Sequence, residues 1–157
     1  MSKKILYLFL ALLLPALIFV FLKYFGKNEF DIPVYYQDGV KESDNDCHVT
    51  VNGQYLVADS VLGKWNWKQS SILVSFAADK ENKELRQRLS EEKLENLLVI
   101  QLTESDRKIK ECVLLAKDPW DAVLIDSQKR IRGYYKLGHR DEMDRLDVEL
   151  KILLKKY

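Results

Sequence analysis

The chain has 157 residues with 25 basic and 24 acidic side chains, which gives a formal net charge of +1 at neutral pH. The first 27 positions hold four charged side chains, Lys3, Lys4, Lys23 and Lys27, so the rest of the chain carries 21 basic against 24 acidic residues. A slightly acidic remainder with interspersed charges excludes a basic surface for nucleic acid, and its length suits one compact domain.

An uncharged apolar run, Ile5 to Leu22, lies near the start of the chain and is interrupted only by Pro15. As a helix this run would extend about 27 Å, which is enough to cross the hydrocarbon core of a bilayer. A cleaved signal peptide is the competing interpretation, but Val20 to Phe25 lack the small side chains of a cleavage site. We expect a transmembrane anchor over residues 1–23, in a single-pass protein of the inner membrane whose C-terminal domain lies in the periplasm.

The anchor is followed by a polar segment, residues 24–46, which contains glycine and proline and shows no sustained periodicity. We interpret it as a stalk with one short extended piece at residues 32–36. The predicted domain covers residues 47–157. Near its start, Asn52-Gly53 separates the alternating segments 48–51 and 54–57, a pattern that predicts a peripheral hairpin.

Two near-continuous apolar segments, Ser71 to Phe76 and Leu97 to Leu102, predict buried strands. The charged stretch between them predicts a helix that Asp79 caps, with Leu85 and Leu89 on one face. A strand, a helix and a strand in this order form a βαβ unit with a right-handed crossover.

Two further apolar segments, Ala122 to Asp126 and Arg130 to Tyr135, are joined by a polar turn and predict an antiparallel hairpin. A terminal helix follows, because apolar side chains recur at helical spacing at Met143, Leu146, Leu150 and Leu153. A βαβ unit followed by a hairpin and a helix is the order of a minimal thioredoxin fold. The predicted fold class is therefore α/β and thioredoxin-like, with a reduced βαβ–ββα core preceded by a single transmembrane helix.

The predicted hairpin and last helix resemble a known family. The stretch Val123 to Tyr135, followed by the helix that ends in Ile152-Leu153-Leu154, is similar to the C-terminal third of the Sco/SenC family, where the pattern reads L-V-D-x-x-G-x-I-R-G-x-Y. The layout of a single anchor and a stalk is also similar. The resemblance implies a relative of the copper chaperones and thiol-disulfide reductases that assemble cytochrome oxidase. Those proteins bind copper through a Cys-x-x-x-Cys after the first core strand and through a distant histidine.

The copper-binding residues of that family are missing from this sequence. The segment after the first core strand, Ala77 to Asn82, contains no thiol, so that Ala78 and Asp79 occupy the region of the family's cysteines. Asp118 stands where the resemblance would place the histidine. We therefore expect no catalytic residue, no enzymatic activity and no cofactor. The expected function is a non-catalytic binding or accessory module in respiratory-complex or envelope biogenesis, with a membrane or periplasmic protein as its partner.

Cys47 and Cys112 are the only cysteines, and they leave several alternatives open. They could form one structural disulfide, or they could remain unpaired, with Cys112 as a small buried apolar residue. Together with His48, and with the more distant His139, they also have the ligand types of a copper or zinc site, although their spacing matches no motif. The alternative function is therefore an active copper chaperone or thiol-disulfide redox protein that uses Cys47 and Cys112.

Other conspicuous side chains receive structural interpretations. The three tryptophans, Trp65, Trp67 and Trp120, are interpreted as packing residues and not as a ligand groove. Asp118 precedes Pro119, a combination that is more typical of a turn than of a general base.

Overall fold

The computed structural model describes residues 3–25, 31–41, 47, 49–92, 94 and 96–155. Within helices, the side chains at positions 3, 5, 6, 8, 10, 22, 24, 25, 92 and 155 are outside this description. The chain divides into two compact units, Met1–Asp31 and Ile32–Tyr157.

The first unit contains the helix α1 (Lys3–Phe25), which includes Pro15. Among the described residues, no helix is both long and apolar enough to cross a membrane. On this finding the predicted anchor over residues 5–22 is wrong, as are the single-pass inner-membrane localisation and the periplasmic placement of the domain.

The second unit contains two sheets. The smaller sheet pairs β1 (Gly39–Val40) with β2 (Val51–Asn52) in an antiparallel arrangement. The larger sheet has the strand order β4-β3-β5-β6, and its strands are β3 (Ser71–Ser75), β4 (Leu97–Gln101), β5 (Ala122–Ile125) and β6 (Ile131–Tyr135). The helices described in this unit are α2 (Asp59–Lys64), α3 (Asp79–Glu92) and α4 (Arg140–Lys155).

The elements of the larger sheet occur in the predicted order. β3, α3 and β4 form a βαβ unit, because β3 and β4 pair in parallel from Ser71–Leu97 to Ser75–Gln101. β5 then pairs antiparallel with both β3 and β6. The predicted fold class as a whole is nevertheless corrected. The described chain is a mixed α/β protein with two sheets and four α-helices, none of which qualifies as the expected transmembrane element.

The hairpin predicted around Asn52-Gly53 is wrong. β2 pairs with β1 and not with residues 54–57, and Val57 N donates a hydrogen bond to Lys129 O at 2.9 Å. Tyr55 and Val57 are only 7% and 1% exposed, respectively. Burial of these side chains against the larger sheet therefore outweighs the local preference of Asn-Gly for a tight turn.

Part of the predicted stalk packs on the domain. Ile32 and Val40 are buried, and Tyr35 N donates to Ile131 O at 2.9 Å along β6. The apolar side chains of this segment take part in the core, so residues 32–41 are not a free tether.

The larger sheet separates two hydrophobic cores. On one face, Leu73 of β3 and Leu124 of β5 pack with Leu85 of α3 and with the apolar side of α4. On the other face, the neighbouring residues of the same strands pack with residues from the N-terminal part of the unit, with α2 and with residues 114–116. The predicted apolar stripe of α4 is confirmed, because four of its side chains are at most 2% exposed, namely Met143, Leu146, Leu150 and Leu153.

A buried ion pair stabilises the β5–β6 hairpin. The pairing register of the two strands shifts between Leu124 and Ile125, and this bulge leaves Arg132 without an opposite residue. The Arg132 side chain is 3% exposed, and its Nη1 lies 3.3 Å from Oδ2 of Asp126. Its Nη2 donates to Ile32 O at 2.6 Å, so the ion pair also attaches the start of the unit to the hairpin.

We expect Leu146→Ala and Leu150→Ala each to lower the free energy of unfolding by about 2–5 kcal/mol, because each truncates a buried side chain in a close-packed core. Val148 lies on the same helix but is 56% exposed, so it provides a matched control. Val148→Ala should change the free energy of unfolding by less than about 0.5 kcal/mol. Chemical denaturation followed by circular dichroism measures all three, and equal effects would show that α4 does not pack on the sheet.

Candidate functional site

A pocket with a volume of about 290 Å³ opens at the edge of the larger sheet where β3 and β4 end. Phe76 directly follows β3, and Asp118 precedes β5. The other lining residues follow β4 and are Thr103, Glu104, Arg107, Lys110 and Glu111. Ligands of open α/β sheets bind outside the carboxyl ends of the strands, so this pocket is the natural candidate for a binding site.

One wall of the pocket has an irregular backbone. After β4 the chain forms a 3₁₀ turn at Glu104–Asp106 and then a π-helical turn at Ile109–Val113. The 3₁₀ turn is capped by Asp106, whose Oδ2 accepts the N–H of Thr103 at 3.1 Å. The π-helical turn carries Lys110 and Glu111 at the pocket. Single π-helical turns are rare, and they occur frequently at functional sites.

The charged side chains of the pocket form two ion pairs. Lys110 Nζ lies 2.9 Å from Asp118 Oδ1 and 5.5 Å from the centroid of the Phe76 ring. Arg107 Nε lies 2.7 Å from Glu111 Oε1. The hydrogen bond from Lys110 lowers the pKa of Asp118, and the hydrogen bond to Glu111 raises the pKa of Arg107. Asp118 and Arg107 therefore stay ionised at neutral pH, and neither is prepared to transfer a proton.

The turn between β3 and α3 lies where the family resemblance would place two thiols, and buried hydrogen bonds close it. Ser75 Oγ donates to Asn82 Oδ1 at 2.6 Å and accepts the N–H of Ala77 at 3.2 Å. Asn82 Nδ2 donates to Ala77 O at 2.6 Å. Ser75 is fully buried and Asn82 is 5% exposed, so this network is shielded from water. The turn is thus held in place without a cysteine.

The positions singled out by the resemblance lie at or near this edge of the sheet. Asp118 lines the pocket, while Ala78 and Asp79 follow Phe76 at the start of α3. Asp79 Oδ1 accepts a hydrogen bond from Gln101 Nε2 at 3.4 Å, at the end of β4. Asp118 also lies in a turn, in which the N–H of Trp120 donates to Lys117 O at 3.1 Å and the Asp118–Pro119 peptide bond is cis. The turn interpretation of Asp118 is therefore confirmed.

Cys47 and Cys112 form a disulfide, with their Cα atoms 5.2 Å apart and the two residues 65 positions apart in the sequence. Cys112 belongs to the π-helical turn and directly follows Glu111 of the pocket. His48 lies outside the described residues, and His139 lies in the turn before α4. Within the described part of the chain, histidine, cysteine and acidic residues form no group of three or more that could hold a metal ion.

Several pocket residues have no distinguishing signal in the sequence. Arg107, Lys110 and Glu111 resemble an ordinary charged surface, because the irregular segment after β4 that carries them has no recognisable periodicity. The position of Phe76 and Thr103 just after the two predicted parallel strands is the one signal that could have identified the site. The tryptophans are partly buried against the core, which confirms that they are packing residues.

An unusual carboxyl group lies close to the same edge of the sheet. Asp121 is half-buried just before β5, and its Oδ1 accepts the N–H of Leu137 at 2.7 Å. Burial raises the pKa of Asp121, and the negative charge of Glu81 raises it further. The Leu137 N–H and the charges of Lys110 and Lys136 act in the opposite direction, but the pKa of Asp121 remains above its ordinary value.

The fold and the pocket define a class of protein: a mixed α/β domain with an open, charged pocket at the carboxyl ends of two parallel strands. Comparison of the chain with models of protein families, with curated proteins and with solved structures gives no match.

We expect Asn82→Ala to lower the free energy of unfolding by about 2–3 kcal/mol, because it leaves the buried Ser75 hydroxyl and the Ala77 carbonyl without their partner. Asn82→Asp should also destabilise the domain, since a carboxylate cannot donate to Ala77 O. The neighbouring Lys83 is exposed on α3, and Lys83→Ala is the control. Urea denaturation of the variants gives the comparison, and equal stabilities of the Asn82 and Lys83 variants would refute a stabilising role for the network.

We expect Asp121→Asn to alter the dependence of stability on pH. Because its pKa is raised in the folded state, Asp121 stabilises the fold most at low pH, and this stabilisation is lost as the pH rises from about 3.9 through the raised value. Asparagine keeps an acceptor for the Leu137 N–H but does not ionise. The variant should therefore gain stability relative to the unmodified protein as the pH rises through this range. Melting temperatures measured across the range provide the test, and a constant difference would contradict it.

Proposed function

We propose that the second unit is a non-catalytic, Sco-like module that binds a partner protein in the biogenesis of a respiratory complex or of the cell envelope. The observation that supports this proposal best is the buried network of Ser75, Asn82 and Ala77, which fills the place of the family's thiols beside an open pocket. A thiol reductase needs a reactive thiolate at the start of this helix, where the helix dipole lowers the pKa. Ala78 and Asp79 cannot supply one.

The chemistry of the pocket suits the surface of another protein. Arg107 and Asp118 are 78% and 90% exposed, although each forms an ion pair. Exposed ion pairs contribute little to stability, so these side chains can exchange their present partners for groups of a docked protein at small cost. Charges of both signs around one aromatic ring, that of Phe76, match the polar rim and the apolar contacts of protein interfaces.

A photo-reactive amino acid in place of Arg107 tests this proposal in the native cell. We expect it to form one discrete cross-linked product with a second protein, whereas the same probe at Val148 on α4 should form none. The Lys110→Glu substitution, combined with the probe at position 107, should reduce the cross-linking yield at least about tenfold, because it reverses a charge that the partner contacts. The control is Lys83→Glu, a reversal at an exposed residue away from the pocket lining, which should leave the yield unchanged.

Two outcomes would contradict the proposal. Equal cross-linking at Arg107 and Val148, or none at either position, would remove the pocket as a binding site. Reduction of insulin by the purified protein, or stoichiometric copper binding, that is lost in Cys47→Ser or Cys112→Ser would instead favour the alternative, an active copper chaperone or thiol redox protein. We expect neither activity, because Cys47 and Cys112 both lie outside α3, whose start is the place where a thiol reductase of this kind needs its thiolate.

A further inference from the structure

The disulfide connects the wall of the pocket to a separate part of the domain. Cys112 lies in the π-helical turn next to Lys110 and Glu111, which line the pocket. Cys47 comes from the segment between β1 and β2, and each of these strands has only two residues. Reduction of the disulfide would therefore remove the covalent link between Cys47 and the pocket wall.

The pocket wall depends on contacts from outside itself. Tyr55 OH donates to Val113 O at 2.7 Å, and Tyr134 OH donates to Leu114 O at 2.8 Å. Burial raises the pKa of both phenols, so each remains a protonated donor. Leu115 has a φ of 51°, in the left-handed region that non-glycine residues rarely adopt. The disulfide is thus one of several external attachments that impose an irregular backbone on the wall.

Both cysteines are half-buried, in contrast to Leu114 and Ala116, which are fully buried at the end of the wall. Cys47 and Cys112 therefore lie nearer the surface of the unit than the core residues that follow the π-helical turn. Tyr55 belongs to the same N-terminal part of the unit as Cys47.

We propose that the Cys47–Cys112 disulfide is a redox-modification site, reduced by a dithiol, whose reduction loosens the pocket wall and so alters binding there. One thiolate of the dithiol attacks a sulfur of the disulfide and forms a mixed disulfide, and the other cysteine leaves as a thiolate. The second thiolate of the reductant then displaces the remaining cysteine. The reductant ends as a disulfide, two electrons pass to the protein, and two protons complete the thiols of Cys47 and Cys112. The effect on binding rests on the proposed function of the pocket.

Hydrogen–deuterium exchange of the full chain, with and without dithiothreitol, tests this inference without a partner. On reduction, the amides of residues 109–116 should exchange at least about tenfold faster, while those of β3 and β5 should change less than about twofold. The double variant Cys47→Ser/Cys112→Ser should show the fast exchange of the reduced form and no response to dithiothreitol. Alkylation of the thiols after native incubation reports whether the disulfide has been opened.

Three results would overturn the inference. The disulfide would be a structural crosslink alone if dithiothreitol failed to open it in the folded protein. The same would hold if all amides, including those of β3, accelerated together as the whole domain unfolded. Unchanged exchange at residues 109–116 after complete reduction would show that the wall does not depend on the bond. The exchange measurement needs no partner. A negative cross-linking result at Arg107 would therefore count against the proposed function but not against the dependence of the pocket wall on the disulfide.

Discussion

The buried carboxylate of Asp126 stabilises the hairpin of β5 and β6, which forms one side of the larger sheet. Its Oδ1 accepts the backbone N–H groups of Gln128 and Arg130, each at 2.9 Å, and its Oδ2 lies 3.3 Å from the guanidinium of Arg132. Arg132 in turn donates to the carbonyl of Ile32. A charge that is 1% exposed is tolerated in a folded domain only when it is paired in this way, and leaving one partner alone typically costs about 3–5 kcal/mol. The turn, the bulged strand and the start of the unit are therefore interdependent.

The two faces of the larger sheet differ in how they are covered. One face carries α3 and α4, whose apolar side chains pack with Leu73 and Leu124 in a regular helix-on-sheet layer. The other face is covered largely by short and irregular segments, and it includes Leu114 and Leu115 from the end of the pocket wall. Residues in the interior of the helices pair their backbone groups with one another, whereas the irregular segments depend on side-chain contacts and on the disulfide. The pocket is lined by residues of such irregular segments and by no described residue of α3 or α4.

The edge of the sheet combines a fixed turn with exposed charges. Ser75 and Asn82 hold the turn after β3 in a buried network, which gives the pocket a firm base at Phe76. Lys110 and Asp118 form an ion pair at the pocket, and the Asp118 side chain is exposed to solvent. A firm base with rearrangeable charges is suited to binding. The sequence from Ala77 to Asn82 contains no thiol, so this turn cannot perform the thiol chemistry of the family that the chain resembles.

The sequence by itself determined the elements whose signal is local. The spacing of Leu146 and Leu150 requires one apolar face on α4, and the buried strands follow from continuous apolar segments, so the order of the core could be predicted. The sequence misled where a local signal competed with distant contacts, as at Asn52-Gly53, where burial of Tyr55 and Val57 overrode the turn preference. Only the tertiary structure decided that Cys112 pairs with a cysteine 65 positions away and that its neighbour Lys110 lines a pocket. Such pairings join residues far apart in the chain, and no periodicity of the sequence encodes the distances between them.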